Sequence, residues 1–342
     1  MTLPKRHHYL PRSYLRNFAN QYGRICIRRR GAQPETTNII NVAAQNHLYS
    51  VELPDGSKDR SAEVTLSKYE AAAQPALAQL RSGRIPRSGS DARMSVSLLV
   101  ALQMTRTPEN ASRFMFPVTA IERLGGIDKV TPQAMKDYLH RHHLGFEPED
   151  PEVKGAMDLV HGLNAMGLPS KSELMTIMFD GAIQEIGPRF SVMQWSLEKC
   201  RRPVLATCDR LPAIWHEARD SESYSGSGIL DAEELWFPLD TSTLLILRSA
   251  GTESVSEVEP KRFRTVNGHL ARHCFEAVFH HPTSKDRAGE FRMAARRPAM
   301  RFWSGPMLDS AGQTMLNEFG QPREIIHSWV PVRDRLDLEG AA

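Results

Sequence analysis

The sequence predicts an α+β fold with a basic N-terminal β-element, a helical middle, and a C-terminal β-rich part that packs back on the first. Three observations support this prediction. Apolar and charged residues alternate near the N-terminus, helical apolar spacing runs through the middle of the chain, and strand-like runs return after it. With 342 residues, 41% of them hydrophobic and 24% charged, the chain can bury a full core without a metal or disulfides.

These changes of period divide the chain into four segments. Residues 1–60 contain an N-terminal motif and the small β-element, and residues 61–190 form the helical region. Residues 191–333 form the β-rich region, and residues 334–342 are a frayed tail. A single domain that spans these segments is the open alternative.

The N-terminal segment combines a short helix with short strands. Pro11 to Ala19 predicts a helix because proline is tolerated in a first turn, and Leu15 with Phe18 forms an apolar i, i+3 face. Alternating or β-prone residues predict strands at Arg24–Arg28, Ile39–Val42 and His47–Val51.

Capping signals organise the helical region. From about Ser61 the apolar residues follow a helical period, and Pro75 predicts a kink in that helix. Thr107-Pro108 and Thr131-Pro132 are each typical of an N-cap residue followed by proline at the first helical position. Ser170 with Glu173 forms a capping box that begins another helix.

The C-terminal region is predicted to contain strands and one further helix. Apolar runs predict strands at Trp195–Leu197, Val204–Cys208, Leu235–Leu239, Thr243–Arg248 and Ala277–His280. A helix is predicted at Val266–Glu276.

Positive charge is concentrated at the N-terminus. The first 34 residues contain eight Lys and Arg residues and no Asp or Glu, although the whole chain has a net charge of only +3. Such a segment favours an anionic partner, and nucleic acid is the commonest one. The alternative is a general compositional bias, because Arg outnumbers Lys by 33 to 10, with Arg28 to Arg30 on a solvated edge strand.

Several protein classes are disfavoured. No apolar run approaches the roughly 20 residues that span a bilayer, so we expect a cytoplasmic protein with no membrane partner. The four cysteines are scattered without a C-x-x-C pair, which argues against a zinc ribbon or a disulfide framework. No metal site is predicted, and no P-loop or G-x-G-x-x-G motif is present. The oligomeric state stays open.

The stretch Lys5–Phe18, which reads KRHHYLPRSYLRNF, resembles the start of a bacterial family catalogued as a domain of unknown function, DUF4238. Its members typically begin with His-Tyr-Val-Pro followed by Tyr-Leu-x-x-Phe. Later stretches are similar in order and type: Leu66–Glu70, Gln103–Pro108, Thr207–Asp209 and Phe237–Leu239. This chain departs from the pattern with Leu10 for Val, Cys208 for Ser and one extra residue before Pro212. The resemblance implies a shared fold and a set of candidate residues, but no activity.

The resembling stretches contain residues suited to phosphodiester cleavage. His8 and Tyr9 are candidates for proton transfer, and we choose His8 over His7 because it directly precedes Tyr9. Arg12, Arg16 and Arg113 are candidate phosphate clamps. The remaining catalytic candidates are the carboxylates Glu70 and Asp209 together with Gln103 and Arg106. Gln103 and Arg106 are three residues apart on a predicted helix and so share one face. If Thr107-Pro108 breaks that helix, the alignment of Arg113 with Arg106 is lost.

Two functions follow as hypotheses. The first is a cytoplasmic nuclease-like or other phosphate-directed enzyme, such as a toxin or defence effector, with a divalent metal as an open cofactor. The second is a non-catalytic module that binds nucleic acid or protein, in which the same residues form a buried structural network.

Overall fold

The structure is a computed structural model. It describes residues 6–46, 48, 51–52, 58–59, 61–144, 148–215, 232–284, 291–293, 299–306, 313–314, 316, 320–322 and 324–330. The strands are β1 (Arg6–His8), β2 (Arg24–Arg29), β3 (Glu35–Asn38), β4 (Ala44–Asn46), β5 (Val51–Glu52), β6 (Lys58–Asp59), β7 (Gln194–Lys199), β8 (Thr207–Cys208), β9 (Ala213–Trp215), β10 (Glu234–Asp240), β11 (Thr243–Arg248), β12 (Ser254–Glu257), β13 (Ala277–His280), β14 (Ala299–Pro306) and β15 (Glu324–Val330). The helices are α1 (Arg12–Leu15), α2 (Ser61–Arg81), α3 (Asp91–Thr105), α4 (Pro108–Leu124), α5 (Pro132–Leu139), α6 (Asp150–Ala165), α7 (Lys171–Gly181), α8 (Gly187–Val192) and α9 (Pro260–His273).

In the mixed α+β fold, one sheet joins strands of the N-terminal segment to strands of the C-terminal β-rich region. The N-terminal strands β2 and β3 lie beside the C-terminal strands β8 and β13, in the order β3-β2-β13-β8 and antiparallel throughout. Ile27 on β2 is opposite Phe279 on β13, and both are buried. This sheet confirms that the β-rich C-terminal part packs back on the N-terminal element.

A second sheet contains most of the remaining C-terminal strands. Its order is β12-β7-β11-β10-β9, with β12 parallel to β7 and the other neighbours antiparallel. Continuous buried runs in β10 and β11 indicate that both faces of these strands are covered. Trp195 and Trp236 are among the largest fully buried side chains.

The helical region begins and ends where the capping signals indicate. α3 ends at Thr105 and α4 begins at Pro108, while the Thr107 side chain accepts a hydrogen bond from the Asn110 N–H at 3.3 Å. α2 continues through Pro75. The break between α3 and α4 separates Arg106 from the face that carries Arg113.

Two predicted strands are shorter than expected or displaced. Ile39–Val42 was predicted as a strand, but residues 39–41 form a 3₁₀ turn because the Asn38 side chain accepts a hydrogen bond from the Ile40 N–H. In Val204–Cys208 only the last two residues form a strand. Residues 204 and 206 instead use their backbone groups to bind the Asn267 side chain.

The helix predicted at Val266–Glu276 begins six residues earlier and ends three residues earlier. Pro260 occupies its first turn, where the missing N–H costs nothing. Beyond His273 the backbone N–H groups are bound by a side chain described below. Of the predicted strand His47–Val51, residues 47, 49 and 50 lie outside the described part, as does the tail 334–342.

The described buried residues form two apolar clusters. The larger contains Leu15, Leu102 and Leu245, which come from all three predicted regions, and the smaller is centred on Phe116 and Met135 in α4 and α5. The hairpin β14–β15 packs along α6. The division of the chain at residues 60 and 190 stays a prediction. No helix in the described ranges is long and apolar enough to cross a membrane.

Candidate functional site

Five sequence-predicted residues meet where the N-terminal motif crosses α3. The Arg106 guanidinium donates from Nη2 to the His8 carbonyl at 2.6 Å and from Nη1 to Glu70 Oε1 at 2.5 Å. The Gln103 amide donates to the Tyr9 carbonyl at 2.8 Å. We call His8, Tyr9, Glu70, Gln103 and Arg106 the N-terminal anchor.

The Nη groups of Arg106 and the amide of Gln103 donate to acceptors of the protein itself. Arg106 is only 4% exposed, and both of its Nη groups bind a carbonyl or a carboxylate of the chain. Gln103 is buried and its amide N–H is directed at backbone. These contacts are those of the buried polar network considered above, and the catalytic roles of the five residues stay a prediction.

The two histidines of the motif differ in burial. His7 is 1% exposed and its Nε2 lies 3.5 Å from Glu63 Oε2, whereas His8 is only partly buried. β1 pairs with β4, and the Tyr9 N–H extends this pairing to the Ala43 carbonyl at 2.9 Å. The sequence analysis prefers His8 to His7 because His8 directly precedes Tyr9, and that position does not indicate which of the two histidines is the more buried.

A second motif contact ties α1 to both large sheets. The Tyr14 hydroxyl donates to the Pro238 carbonyl at 2.7 Å and lies 2.7 Å from Thr207 Oγ1. Burial raises the pKa of Tyr14 well above its ordinary value, so the phenol stays protonated. Three of the motif stretches therefore meet at a single hydroxyl group.

Asp209 holds the chain that follows α9. Its carboxylate accepts hydrogen bonds from the backbone N–H groups of Phe275, Glu276 and Ala277, at 2.8, 2.6 and 2.9 Å. Burial raises the pKa of Asp209 to about 7, and the three N–H donors oppose that rise. Burial also raises the pKa of Cys208, which keeps the neighbouring sulfur as a neutral thiol.

The basic N-terminal segment contributes contacts as well as charge. Arg30 donates to the carbonyls of Cys274 and Phe275 at 2.6 and 3.3 Å, beyond the last turn of α9. Arg29 forms an ion pair with Glu35 on the adjacent strand. β2 lies between β3 and β13, so these arginines do not sit on an edge strand as the compositional alternative assumed.

The predicted phosphate clamps are distributed over different parts of the molecule. Arg12 and Arg16 are exposed, on α1 and directly after it. Arg113 is mostly buried on α4. The structure brings Arg113 beside residues that the sequence analysis did not select.

Glu109 and Arg210 form the centre of this second site. Thr107 caps α4 and Pro108 occupies its first position, which fixes Glu109 in the first turn. Glu109 is 1% exposed, and its Oε1 lies 3.1 Å from the Nε of Arg210. Arg113 follows one turn later on the same helix face. That i, i+4 spacing after a capped helix start was the signal from which Glu109 could have been found.

The charges of this site are strongly coupled. Burial raises the pKa of Glu109, and the cations of Arg210 and Arg113 oppose the rise. Burial lowers the pKa of Arg113, and Arg210 lowers it further. Burial also lowers the pKa of His273 to about 3, with His269 and Arg210 contributing. We call Glu109, Arg113, Arg210 and His273 the Glu109 cluster.

Two atoms of the Glu109 cluster are buried without hydrogen bonds. Neither Nε of Arg113 nor Oε2 of Glu109 has a hydrogen-bond partner within the described part of the chain. Buried polar atoms of this kind are rare, since each costs about 1 to 3 kcal/mol when it is left unpaired. The cluster differs from the N-terminal anchor in holding two cations near one glutamate, whereas both Nη groups of Arg106 in the anchor donate to acceptors of the chain.

A family model described as "Protein of unknown function (DUF4238)" matches residues 6–284 and so covers most of the chain. The chain belongs to the DUF4238 family. No curated protein and no solved structure matches it.

The DUF4238 motif stretches are the places where distant parts of the fold are fastened together. His8 and Tyr9 are bound by Gln103 and Arg106, while Tyr14 joins two other stretches. The Glu109 cluster lies directly after the Gln103–Pro108 stretch and directly after Asp209. In this DUF4238 chain, Glu109 and Arg210 of the Glu109 cluster each directly follow a motif stretch in the sequence.

Metal binding has no assembled ligand set in the described ranges of this DUF4238 protein. No group of three or more His, Cys, Asp or Glu side chains there could hold a metal ion. His269 and His273 stack with ring centroids 3.9 Å apart, but each ring uses one nitrogen on a backbone carbonyl. A divalent cofactor stays a prediction.

Proposed function

We propose that this DUF4238 protein binds a phosphate-bearing ligand at the Glu109 cluster. The observation that supports the proposal is the partly buried Arg113 guanidinium, which acts with Arg210 on the carboxylate of Glu109 and whose Nε has no hydrogen-bond partner in the described part of the chain. A buried cation needs both a counter-charge and hydrogen-bond acceptors. Phosphate oxygens supply both, and the planar guanidinium fork matches their geometry.

Charge balance supports the same conclusion. Arg113 and Arg210 both act on the carboxylate of Glu109, and Arg210 is its ion-pair partner at 3.1 Å. Arg210 lowers the pKa of Arg113, so the two cations repel each other across the site. An anion held between them would remove this repulsion. Arg210 is about a quarter exposed, which offers a route from solvent.

His273 makes binding better supported than catalysis. Its Nδ1 lies 3.0 Å from the His269 carbonyl, and donation to that oxygen leaves Nε2 as the unprotonated nitrogen. With a pKa of about 3 the ring is neutral at physiological pH, far from the value that suits a general acid or base. A bound dianion would raise that pKa. Nuclease activity at this site is therefore a further hypothesis, which depends on the phosphate binding proposed here.

The direct test uses inorganic phosphate. We expect phosphate to raise the melting temperature of the wild-type protein by a few degrees at about a hundred times its Kd, because a ligand at that concentration contributes about 2.7 kcal/mol. Arg113→Gln and Arg210→Gln should abolish this rise, whereas Arg87→Gln should retain it, because Arg87 is exposed and outside the cluster.

The same proteins then test catalysis. Labelled DNA and RNA are incubated with the wild type and with His273→Gln, with and without magnesium. Cleavage lost in His273→Gln would support the nuclease-like hypothesis at this site, and intact substrates would leave binding as the function. A wild type that shows no phosphate-dependent stabilisation, or an Arg113→Gln protein stabilised as much as the wild type, would refute the proposed site.

A further inference from the structure

α9 carries a one-sided set of cations. Its fourteen residues contain one lysine, three arginines and no acidic residue. Lys261, Arg264 and Arg272 are exposed, while Phe263 and Leu270 on the opposite side are fully buried. The helix therefore presents its charge to solvent and its apolar face to the core.

The exposed cations fall on one line. Arg264 is three residues and Arg272 eleven residues beyond Lys261, a spacing that returns to the same helix face after three turns. At about 1.5 Å per residue, the line is roughly 16 Å long. We call Lys261, Arg264 and Arg272 the α9 stripe.

One end of the α9 stripe meets the Glu109 cluster. Arg272 directly precedes His273, and the charges of Arg272 and Arg210 both lower the pKa of that histidine. At the opposite end the exposed acids Glu257 and Glu259 offset the positive charge. The cationic field is therefore strongest beside the proposed phosphate site.

The loop before β8 packs against α9. The Asn267 side chain on α9 donates to the Val204 carbonyl and accepts from the Ala206 N–H, both at 2.8 Å. These bonds fix the loop against the helix. Arg202, two residues before Val204, is exposed on this loop.

We propose that the phosphate-bearing ligand is a polynucleotide, whose backbone lies along the α9 stripe and places one phosphate in the Glu109 cluster. This inference rests on the proposed function. A line of cations that leads to a single phosphate site suits a chain of regularly spaced phosphates. An anionic membrane is less favoured, because a helix that binds at a membrane surface inserts its apolar face, and the apolar face of α9 is already buried.

The test measures binding of a fluorescently labelled single-stranded RNA or DNA of about 20 nucleotides, longer than one binding site of typical single-strand-binding folds. We expect affinity to fall steeply with salt, because bound phosphates release counterions. The triple variant Lys261→Gln, Arg264→Gln, Arg272→Gln should bind roughly tenfold more weakly, with a log–log salt slope shallower by about 2.

A matched triple variant controls for net charge. Lys68→Gln, Arg84→Gln, Arg87→Gln removes three exposed cations from α2 and the segment between α2 and α3, and should change the affinity less than twofold. If both triple variants bind the oligonucleotide equally weakly, the proposal that it binds along the α9 stripe would be overturned, because only the total charge would then determine the affinity. Unchanged affinity in the α9 triple variant would overturn it as well.

Two further measurements separate this inference from the proposed function. The α9 triple variant should keep the phosphate-dependent rise in melting temperature, since Arg113 and Arg210 are intact. Wild type that binds phosphate but no oligonucleotide would overturn the polynucleotide while leaving the phosphate site in place. Absence of both kinds of binding would overturn both proposals. Stripe-dependent binding to anionic vesicles, with none to oligonucleotides, would assign the surface to membranes instead.

Discussion

The N-terminal anchor and the Glu109 cluster lie on either side of the same helix break, and both pair a buried arginine with a glutamate. Arg106 closes α3 and donates to Glu70 and to a backbone carbonyl. Arg113 in α4 interacts electrostatically with Glu109, whose carboxylate forms an ion pair with Arg210. The comparison teaches that residue type alone does not separate a structural arginine from one that we propose binds a ligand. What differs is their surroundings: both Nη groups of Arg106 donate to acceptors of the chain, whereas Arg113 and Arg210 are two cations near the carboxylate of Glu109.

Replacing Arg106 should produce the largest loss of stability. We expect Arg106→Met to reduce the free energy of unfolding by about 3 kcal/mol, because Glu70 and the His8 carbonyl lose their buried partner. Urea denaturation followed by circular dichroism measures this change, with Arg87→Met as the exposed control. A loss as small as that of the control would contradict the structural role of the N-terminal anchor.

A pH-dependent effect of intermediate size is expected at His273. Its folded pKa of about 3 lies below the ordinary 6.5, so the unfolded chain binds the extra proton. The stability that His273 contributes is complete above about pH 6.5 and is lost as the pH falls towards 3. Between about pH 7 and about pH 5, the free energy of unfolding of the His273→Gln variant should fall by about 1 to 2 kcal/mol less than that of the wild type.

Urea denaturation at both pH values checks this prediction. Asp209 works in the opposite direction, since its raised folded pKa means that its contribution is lost as the pH rises from about 4 to 7. That contribution is common to wild type and variant, so their difference isolates His273. Equal losses of stability in the two proteins would contradict the prediction, because they would indicate that the pKa of His273 in the folded protein is close to its ordinary value.

Replacing Arg113 should change the stability of the protein least, and this result would distinguish Arg113 most clearly from Arg106. Without phosphate, Arg113→Met should leave the free energy of unfolding unchanged or raise it by up to about 1 kcal/mol, because a desolvated cation is removed while Glu109 keeps its ion pair with Arg210. The same substitution should abolish stabilisation by phosphate. If Arg113→Met destabilises the protein as much as Arg106→Met, the two arginines have the same structural role and the distinction fails.

Much of the helical framework could be predicted from local signals. Thr107 caps α4, Thr131 caps α5, and Ser170 with Glu173 forms the capping box of α7, all as the sequence indicates. Each of these hydrogen bonds joins residues three apart, so the sequence contains both partners together. The displaced elements were those controlled by a side chain elsewhere. Asn267, for example, binds backbone that would otherwise extend β8.

The candidate site could be predicted only in part. The resemblance to DUF4238 pointed to His8, Gln103 and Arg106, and the structure does bring these together. It gave no reason to select Glu109 or Arg210, because neither carries a motif by itself. Their proximity depends on where the loop after β8 lies against the first turn of α4.

By itself, the sequence determined the family, the α+β class, the helix break at Thr107-Pro108 and the excess of positive charge near the N-terminus. Only the tertiary structure decided which partners the buried charged residues meet. Arg106 donates to the His8 carbonyl, 98 residues away in the sequence, and Glu109 forms its ion pair with Arg210, which is similarly distant in the sequence. Caps form between residues that chain geometry already holds close. Contacts over about a hundred residues depend on sheet order and packing, which no local pattern contains.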